Sequence, residues 1–247
     1  MPNWRNQNET ETYPIKQALA VANAVFRKYG FVKRNHGYYD AANGVFVPDS
    51  KSIVINTLRP EDKRDRNPER PLPVVEVTDE DRDRADELYS FFDQKTLMAK
   101  MGDDIGDFDR MLGEILSKNE VDVNRDMSVL ASIPNSLQIE QRRIKMDAMY
   151  RANRHVGSFI GKPKERIKLS VQVEDVKWIP KRGVYLVTMM TDDNQIAKFF
   201  LKDEDADLSE SIRDQRITFV GTVRNQEVSE YTGCHETMFN RIKIFNE

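Results

Sequence analysis

The sequence predicts an α+β chain, with a mainly helical N-terminal region over residues 14–154 and a small five-stranded β-barrel over residues 155–247. Three observations predict it. Apolar residues recur at helical spacing through most of the first 154 positions. From Glu165 onward the period drops to two. That alternation then returns in five short runs separated by turn residues.

Residues 1–13 are polar and are expected to be disordered. Pro14 suits a first helical turn, where its missing N–H would go unpaired in any case. Ala18, Ala22, Val25, Phe26 and Tyr29 then share a face, and Gly30 is a stop signal. Short apolar runs follow at Phe31-Val32, Tyr38-Tyr39, Val45-Phe46-Val47 and Ile53-Val54-Ile55. With Asn35-His36-Gly37 and Ala42-Asn43-Gly44 between them, they predict a small β-meander. Residues 59–73 are charge-dense and hold Pro60, Pro68, Pro71 and Pro73, so a mobile loop is expected there.

Thr78 with Asp81 three residues on is a capping-box pattern with Asp in place of Glu. Ala85, Leu88, Tyr89, Phe92, Leu97 and Met101 continue at roughly helical spacing up to Gly102. Ile105, Phe108, Met111, Leu112, Ile115 and Leu116 mark the next helix. Pro134-Asn135 punctuates, and a third helix is expected from about Ser136 to Asn153. Its apolar positions are Leu137, Ile144, Met149 and Tyr150; Arg142, Arg143, Lys145, Arg151 and Arg154 decorate it.

In the C-terminal region Ile167, Leu169, Val171 and Val173 alternate with polar partners. Pro180-Lys181-Arg182-Gly183 is a turn, 184–190 a second strand, Asp192-Asp193-Asn194 a turn and 196–201 a third strand. Residues 203–214 are polar with Leu208 and Ile212 four apart, which suits a short helix or loop. Ile217, Phe219, Gly221 and Val223 form a fourth strand and 236–245 a fifth. Five strands with a non-strand insert between the third and fourth is the order of an OB-type barrel, and other small barrels share it.

Composition narrows the function classes. No apolar run approaches the length of a membrane span, and the N-terminus has no apolar core segment of a secretory signal. The lone Cys234 cannot form an internal disulfide, so a cytoplasmic setting is expected. The net charge of −3 hides an asymmetry. Residues 59–126 carry 12 Lys and Arg against 20 Asp and Glu; residues 142–202 carry 14 against 6; residues 203–247 carry 5 against 10. A basic block of this kind supplies phosphate-neutralising charge, or it is a solvated face balanced by the acidic blocks.

No enzyme signature emerges. There is no Gly-rich phosphate loop followed by Lys-Ser or Lys-Thr. His36, His155 and His235 share no metal-ligand spacing. Pro48-Asp49 lacks the following Glu-x-Lys element of a metal-dependent nuclease. Neither catalysis nor a cofactor is expected.

One series of residues points further. It runs His155-Val156-Gly157, Gly161, Glu165-Arg166, Lys198-Phe199-Phe200, Gly221-Thr222-Val223-Arg224, Tyr231-Thr232-Gly233, Thr237 and Arg241. The series resembles a C-terminal barrel module of tailed-phage replication and recombination proteins, and the chain is similar to phage-encoded single-stranded DNA-binding proteins. The resemblance covers roughly the last 90 residues and rests on spaced single residues. It implies an OB-fold, single-stranded DNA as partner, a role in replication, recombination or repair, and the host cytoplasm. Many such proteins recruit partners through a flexible acidic tail; here Ile244-Phe245-Asn246-Glu247 follows directly on the expected fifth strand, so tail-mediated recruitment is not expected.

Single-strand binding needs cations along the phosphates and flat rings for the bases. An OB-fold carries its ligand across strands two and three and the flanking loops. The candidates there are Lys177, Trp178, Lys181 and Arg182 at the first loop, Tyr185 on strand two, and Lys198, Phe200 and Lys202 on strand three. Arg224 and Tyr231 are the candidates around the last hairpin. Phe199 and Phe200 are adjacent, so one faces the core and the other faces out. Trp178 either stacks on bases or caps the barrel end, Tyr185 is core or surface, and Tyr231 stacks or packs its hairpin. Arg142, Arg143 and Lys145 are a secondary basic face or a solvated one. Two other functional readings stay open. One is a duplex-DNA-binding phage regulator that reads DNA with its helical region. The other is a replisome interaction module that docks replication or recombination proteins on the acidic segment 59–126.

Overall fold

A computed structural model describes residues 11–65, 67, 71–101, 106–155 and 157–245. It divides into two compact units, Met1–Ile139 and Glu140–Glu247.

In the first unit β1 (Thr12–Pro14) leads into α1 (Ile15–Tyr29), which ends at Gly30 with φ +68°. Residues 11–13 are therefore not disordered, since β1 pairs with a later strand; residues 1–10 lie outside the described set. Ala18, Leu19, Ala22, Ala24 and Val25 are buried, and α1 is the central helix against which its neighbours pack. The many alanines let those neighbours come close. Next, β2 (Tyr38–Asp40) and β3 (Val45–Val47) form a hairpin with Tyr39 opposite Phe46.

The predicted third run of the meander is instead α2 (Ser50–Leu58). Asp49 caps it by accepting from Ser52 N at 3.1 Å, and Ile53 and Val54 are fully buried. A good cap and burial outweigh the strand preference of the β-branched triplet. The loop over 59–73 is pinned near both ends. Buried Asn56 donates to Leu72 O (3.0 Å) and accepts from Asp65 N (2.8 Å), and Arg59 pairs with Glu11 at 2.8 Å. Residues 66 and 68–70 of that predicted loop lie outside the described set.

The Thr78–Asp81 capping pair opens α3 (Asp79–Lys100). Asp81 N donates to Thr78 Oγ1 at 3.3 Å and Thr78 N donates to Asp81 Oδ2 at 3.0 Å. Leu88 and Phe92 are buried on its inner face, but Leu97 and Met101 are exposed, so the expected apolar stripe reaches the core only over its first turns. There follow α4 (Asp107–Leu116), β4 (Glu120–Asp122), α5 (Met127–Leu130) and α6 (Ile133–Asn153). Ile105 of the predicted second helix lies outside the described residues. Phe108 and Met111 are exposed while Leu112, Ile115 and Leu116 are buried. β4 is the antiparallel partner of β1. Pro134 sits within the first turn of α6, where its missing N–H is no loss, so the helix starts three positions ahead of Ser136.

Asp81 makes this unit sensitive to acid. Its carboxylate is fully buried and accepts from Arg27 Nη2 (2.8 Å) and Asn23 Nδ2 (2.9 Å). Burial pushes the carboxyl up, but the hydrogen bonds from Arg27 and Thr78 outweigh it and hold the group down at about 2. A depressed folded-state value stabilises above the ordinary carboxylate range, and the gain is lost as pH falls through that range toward 2. The contribution is about 2 kcal/mol. Asp81→Asn should lose it at neutral pH and flatten the stability profile between pH values of about 4 and 2. An unchanged acid limb in urea titrations would refute this assignment.

The second unit is a closed barrel. Its strands are β5 (Arg166–Ile179), β6 (Val184–Met190), β7 (Ile196–Lys202), β8 (Arg216–Val228) and β9 (His235–Phe245). A short α7 (Ala206–Ser211) precedes β8. Around the barrel the order is β5-β6-β7-β9-β8, with β7 and β9 parallel and the other pairs antiparallel. With a helix between the third and fourth strands, this is the expected OB-like arrangement. Phe199, Phe219 and Phe239 meet edge-on in the core, and Leu208 and Ile212 pack against it from the α7 side.

The division into units falls inside α6, earlier than the predicted boundary after residue 154. The helix beyond Ile139 groups with the barrel because Met149 and Tyr150 pack there with Ile196, Cys234 and Met190.

Candidate nucleic-acid interface

A β-bulge between Val173 and Asp175 decides which side chains of β5 face outward. Before it Val171 and Val173 are inward; after it Val176 and Trp178 are. Across β5, β6 and β7 the register then gives alternating rows. Trp178, Tyr185 and Leu201 form the last inward row. Tyr185 packs on the barrel core and Trp178 leans on it with ring centroids 4.7 Å apart. Trp178, at 37% exposure, therefore caps the barrel end while keeping one edge open.

The outward rows begin at the β5–β6 turn. The first is Ile179, Val184 and Lys202; the second is Lys177, Leu186 and Phe200. Ile179, Val184, Leu186 and Phe200 are half-buried, and Lys177 and Lys202 are exposed at the two margins. Phe199 is fully buried, so Phe200 is the outward ring of the pair. The adjoining turn is tight: Arg182 N and Gly183 N both donate to Ile179 O, at 3.0 and 3.1 Å. Gly183 takes φ +60°, which favours glycine. Lys181 and Arg182 project from this turn with no ion-pair partner among the described residues, and Lys177 is equally unpaired. Lys202 pairs with Glu204 at 2.8 Å, both largely exposed. Such a pair is worth little and exchanges easily for a phosphate.

The rest of this outer face is covered. The next row, Asp175, Thr188 and Lys198, and beyond it Ile196, lie under the last turns of α6. Lys198 is 8% exposed, 2.6 Å from Glu236 Oε2 and 5.5 Å from the Tyr150 ring centre. Thr232 Oγ1 donates to Glu236 Oε1 (3.1 Å) and Cys234 Sγ donates to Tyr150 O (3.2 Å). Burial, then the Glu236 carboxylate, pushes the Tyr150 hydroxyl up to about 12, and it is hydrogen-bonded to Thr188. Lys198 is thus a structural cation here. Three more predicted cations face carboxylates: Lys145 pairs with the largely buried Glu174 (2.7 Å), while Arg142 with Asp214 (3.8 Å) and Arg143 with Glu140 (2.7 Å) form partly exposed pairs that, like Lys202–Glu204, hold their charges only weakly.

No known protein family, curated protein or solved structure matches this chain.

Tyr231 belongs to a different locus. It is 96% exposed in the β8–β9 turn and lines a cleft of about 250 Å3 with Asp147, Tyr150, Arg151, Arg154 and Thr232. Gly233 holds this turn against the helix end: its φ is +69°, and a Cβ there would come within 2.8 Å of Arg154 Nε. Arg151 and Arg154 were not among the expected site residues. Their signal was a basic i, i+3 pair in the last helical turn, but nothing in the sequence places that turn beside Tyr231. Arg224 joins neither group. It lies exposed on β8 of the last hairpin, at a bulge between Val223 and Asn225, well before the turn that carries Tyr231.

Proposed function

We propose that the barrel binds single-stranded DNA by base stacking and phosphate neutralisation, without chemistry of its own, in the manner of phage-type single-strand binders acting in replication, recombination or repair. One observation carries this reading. The half-buried apolar strip of Ile179, Val184, Leu186 and Phe200 lies on the outer face of the sheet between the exposed Lys177 and Lys202, beside the unpaired Lys181-Arg182 turn. A ring flanked by cations on an open sheet face matches what a flexible polynucleotide requires, and stacking is tolerant of sequence.

Fluorescence anisotropy with an oligothymidylate and with duplex DNA tests it. Binding tighter than about 10 µM at low salt is expected, with a salt slope near −3 for four phosphate contacts by Lys177, Lys181, Arg182 and Lys202. Phe200→Ala should weaken single-strand binding roughly tenfold. Lys181→Ala should mainly lower the salt slope, by about 0.7. A preference for duplex, or a parent-like affinity of Phe200→Ala, would move the ligand or the site elsewhere.

A further inference from the structure

The β2–β3 hairpin of the first unit carries aromatic rings that its own fold does not use. Side chains of a strand alternate between faces, so consecutive Tyr38 and Tyr39 place one ring on each side of the ribbon. One of them should be covered, yet Tyr38 is 43% and Tyr39 65% exposed. Their cross-strand partners behave otherwise: Val47 is fully buried and Phe46 half-buried.

The turn before the hairpin is equally defined. Asn35 takes φ +65° and His36 N donates to Lys33 O at 3.1 Å. Gly37 then allows a close approach, since a Cβ there would come within 2.7 Å of Phe46 Cζ and 2.9 Å of Val47 O. This contact fixes the turn beside the ribbon. Lys33, Arg34 and His36 are all exposed on it, and none has an ion-pair partner among the described residues.

We propose that this hairpin is a second contact for single-stranded nucleic acid, with bases stacked on Tyr38 and Tyr39 and phosphates held by Lys33 and Arg34. The inference shares its ligand class with the barrel reading and none of its residues. A membrane surface fits less well, because the ribbon itself carries the anionic Asp40 and, besides its two phenol rings, exposes only the small apolar side chains of Ala41 and Ala42, with no large aliphatic side chain to insert. A protein partner fits less well because the neighbouring apolar side chains Phe46 and Val47 are already engaged.

The test uses the full chain and a fluorescein-labelled oligothymidylate of about thirty nucleotides, roughly twice the upper site size of one OB-fold. Tyr38→Ser with Tyr39→Ser should weaken binding at least about fivefold, while Tyr38→Phe with Tyr39→Phe, which keeps both rings, should stay within about twofold of the parent. Lys33→Gln with Arg34→Gln should reduce the salt slope by roughly 1. Ultraviolet crosslinking of a 4-thiothymidine oligonucleotide to the parent should label the peptide that contains Tyr39, which gives a readout independent of any variant. Parent-like binding by the serine pair, or equal loss in the phenylalanine pair, overturns the proposal. So does labelling confined to the barrel, or capture of the parent by anionic phosphatidylglycerol vesicles in place of DNA. Failure of the barrel reading alone looks different: Lys177→Gln with Phe200→Ser would then bind like the parent while the hairpin variants would not. If the parent does not bind the oligonucleotide, both readings fall.

Discussion

Lys198→Ala is expected to destabilise the barrel by about 3–5 kcal/mol, because it leaves the Glu236 carboxylate buried without its cation. Both side chains are only 10% exposed, and among the described residues Glu236 keeps a hydrogen bond from the Thr232 hydroxyl. The expected readout is a lower urea midpoint with an unchanged slope. Replacing both ends, Lys198→Met with Glu236→Leu, should recover most of the loss, since a buried pair is commonly exchangeable for apolar side chains of similar size. The same double variant should keep its affinity for an oligothymidylate if the open strip is the site. A single variant as stable as the parent would show that water reaches this pair. A double variant that loses DNA binding would restore Lys198 to the interface.

The second large effect is expected at Phe219. Its ring lies 5.5 Å from that of Phe199 and 5.3 Å from that of Phe239, at interplanar angles of 67° and 84°. All three residues are essentially excluded from solvent. Phe219→Ala removes the middle ring and leaves a cavity that strands on both sides cannot easily close, at a cost of about 3–5 kcal/mol. Phe219→Leu should cost less, about 1–2 kcal/mol, since most of the volume is kept. A thermal midpoint of the alanine variant within a few degrees of the parent would mean that the barrel does not depend on this triad.

Much of the barrel was legible because alternation survives in it. The bounds of β6 match the expected run, and the adjacency of Phe199 and Phe200 forced one ring outward. The bulge after Val173 has no counterpart in composition, yet it decides that Lys177 faces solvent and Trp178 the barrel end. The helix over the sheet was legible only in part. Met149 and Tyr150 read as apolar positions of a helix, but periodicity does not say which surface they cover. The basic block misled for a related reason. Several of its cations meet carboxylates distant in sequence, such as Asp214 and Glu236, so a local charge count overstated the positive surface. In the first unit the β-branched run Ile53-Val54-Ile55 suggested a strand, and only the Asp49 cap and the packing against α1 make it helical.

Cys234 lies sealed beneath the end of α6, with no solvent-exposed surface and its thiol on the Tyr150 carbonyl. It is also the chain's single cysteine. An alkylating reagent in water can reach that sulfur only during moments when the covering turns lift away. The rate of its modification therefore measures how often the roofed half of the sheet opens, and the fold carries this gauge without any engineered label.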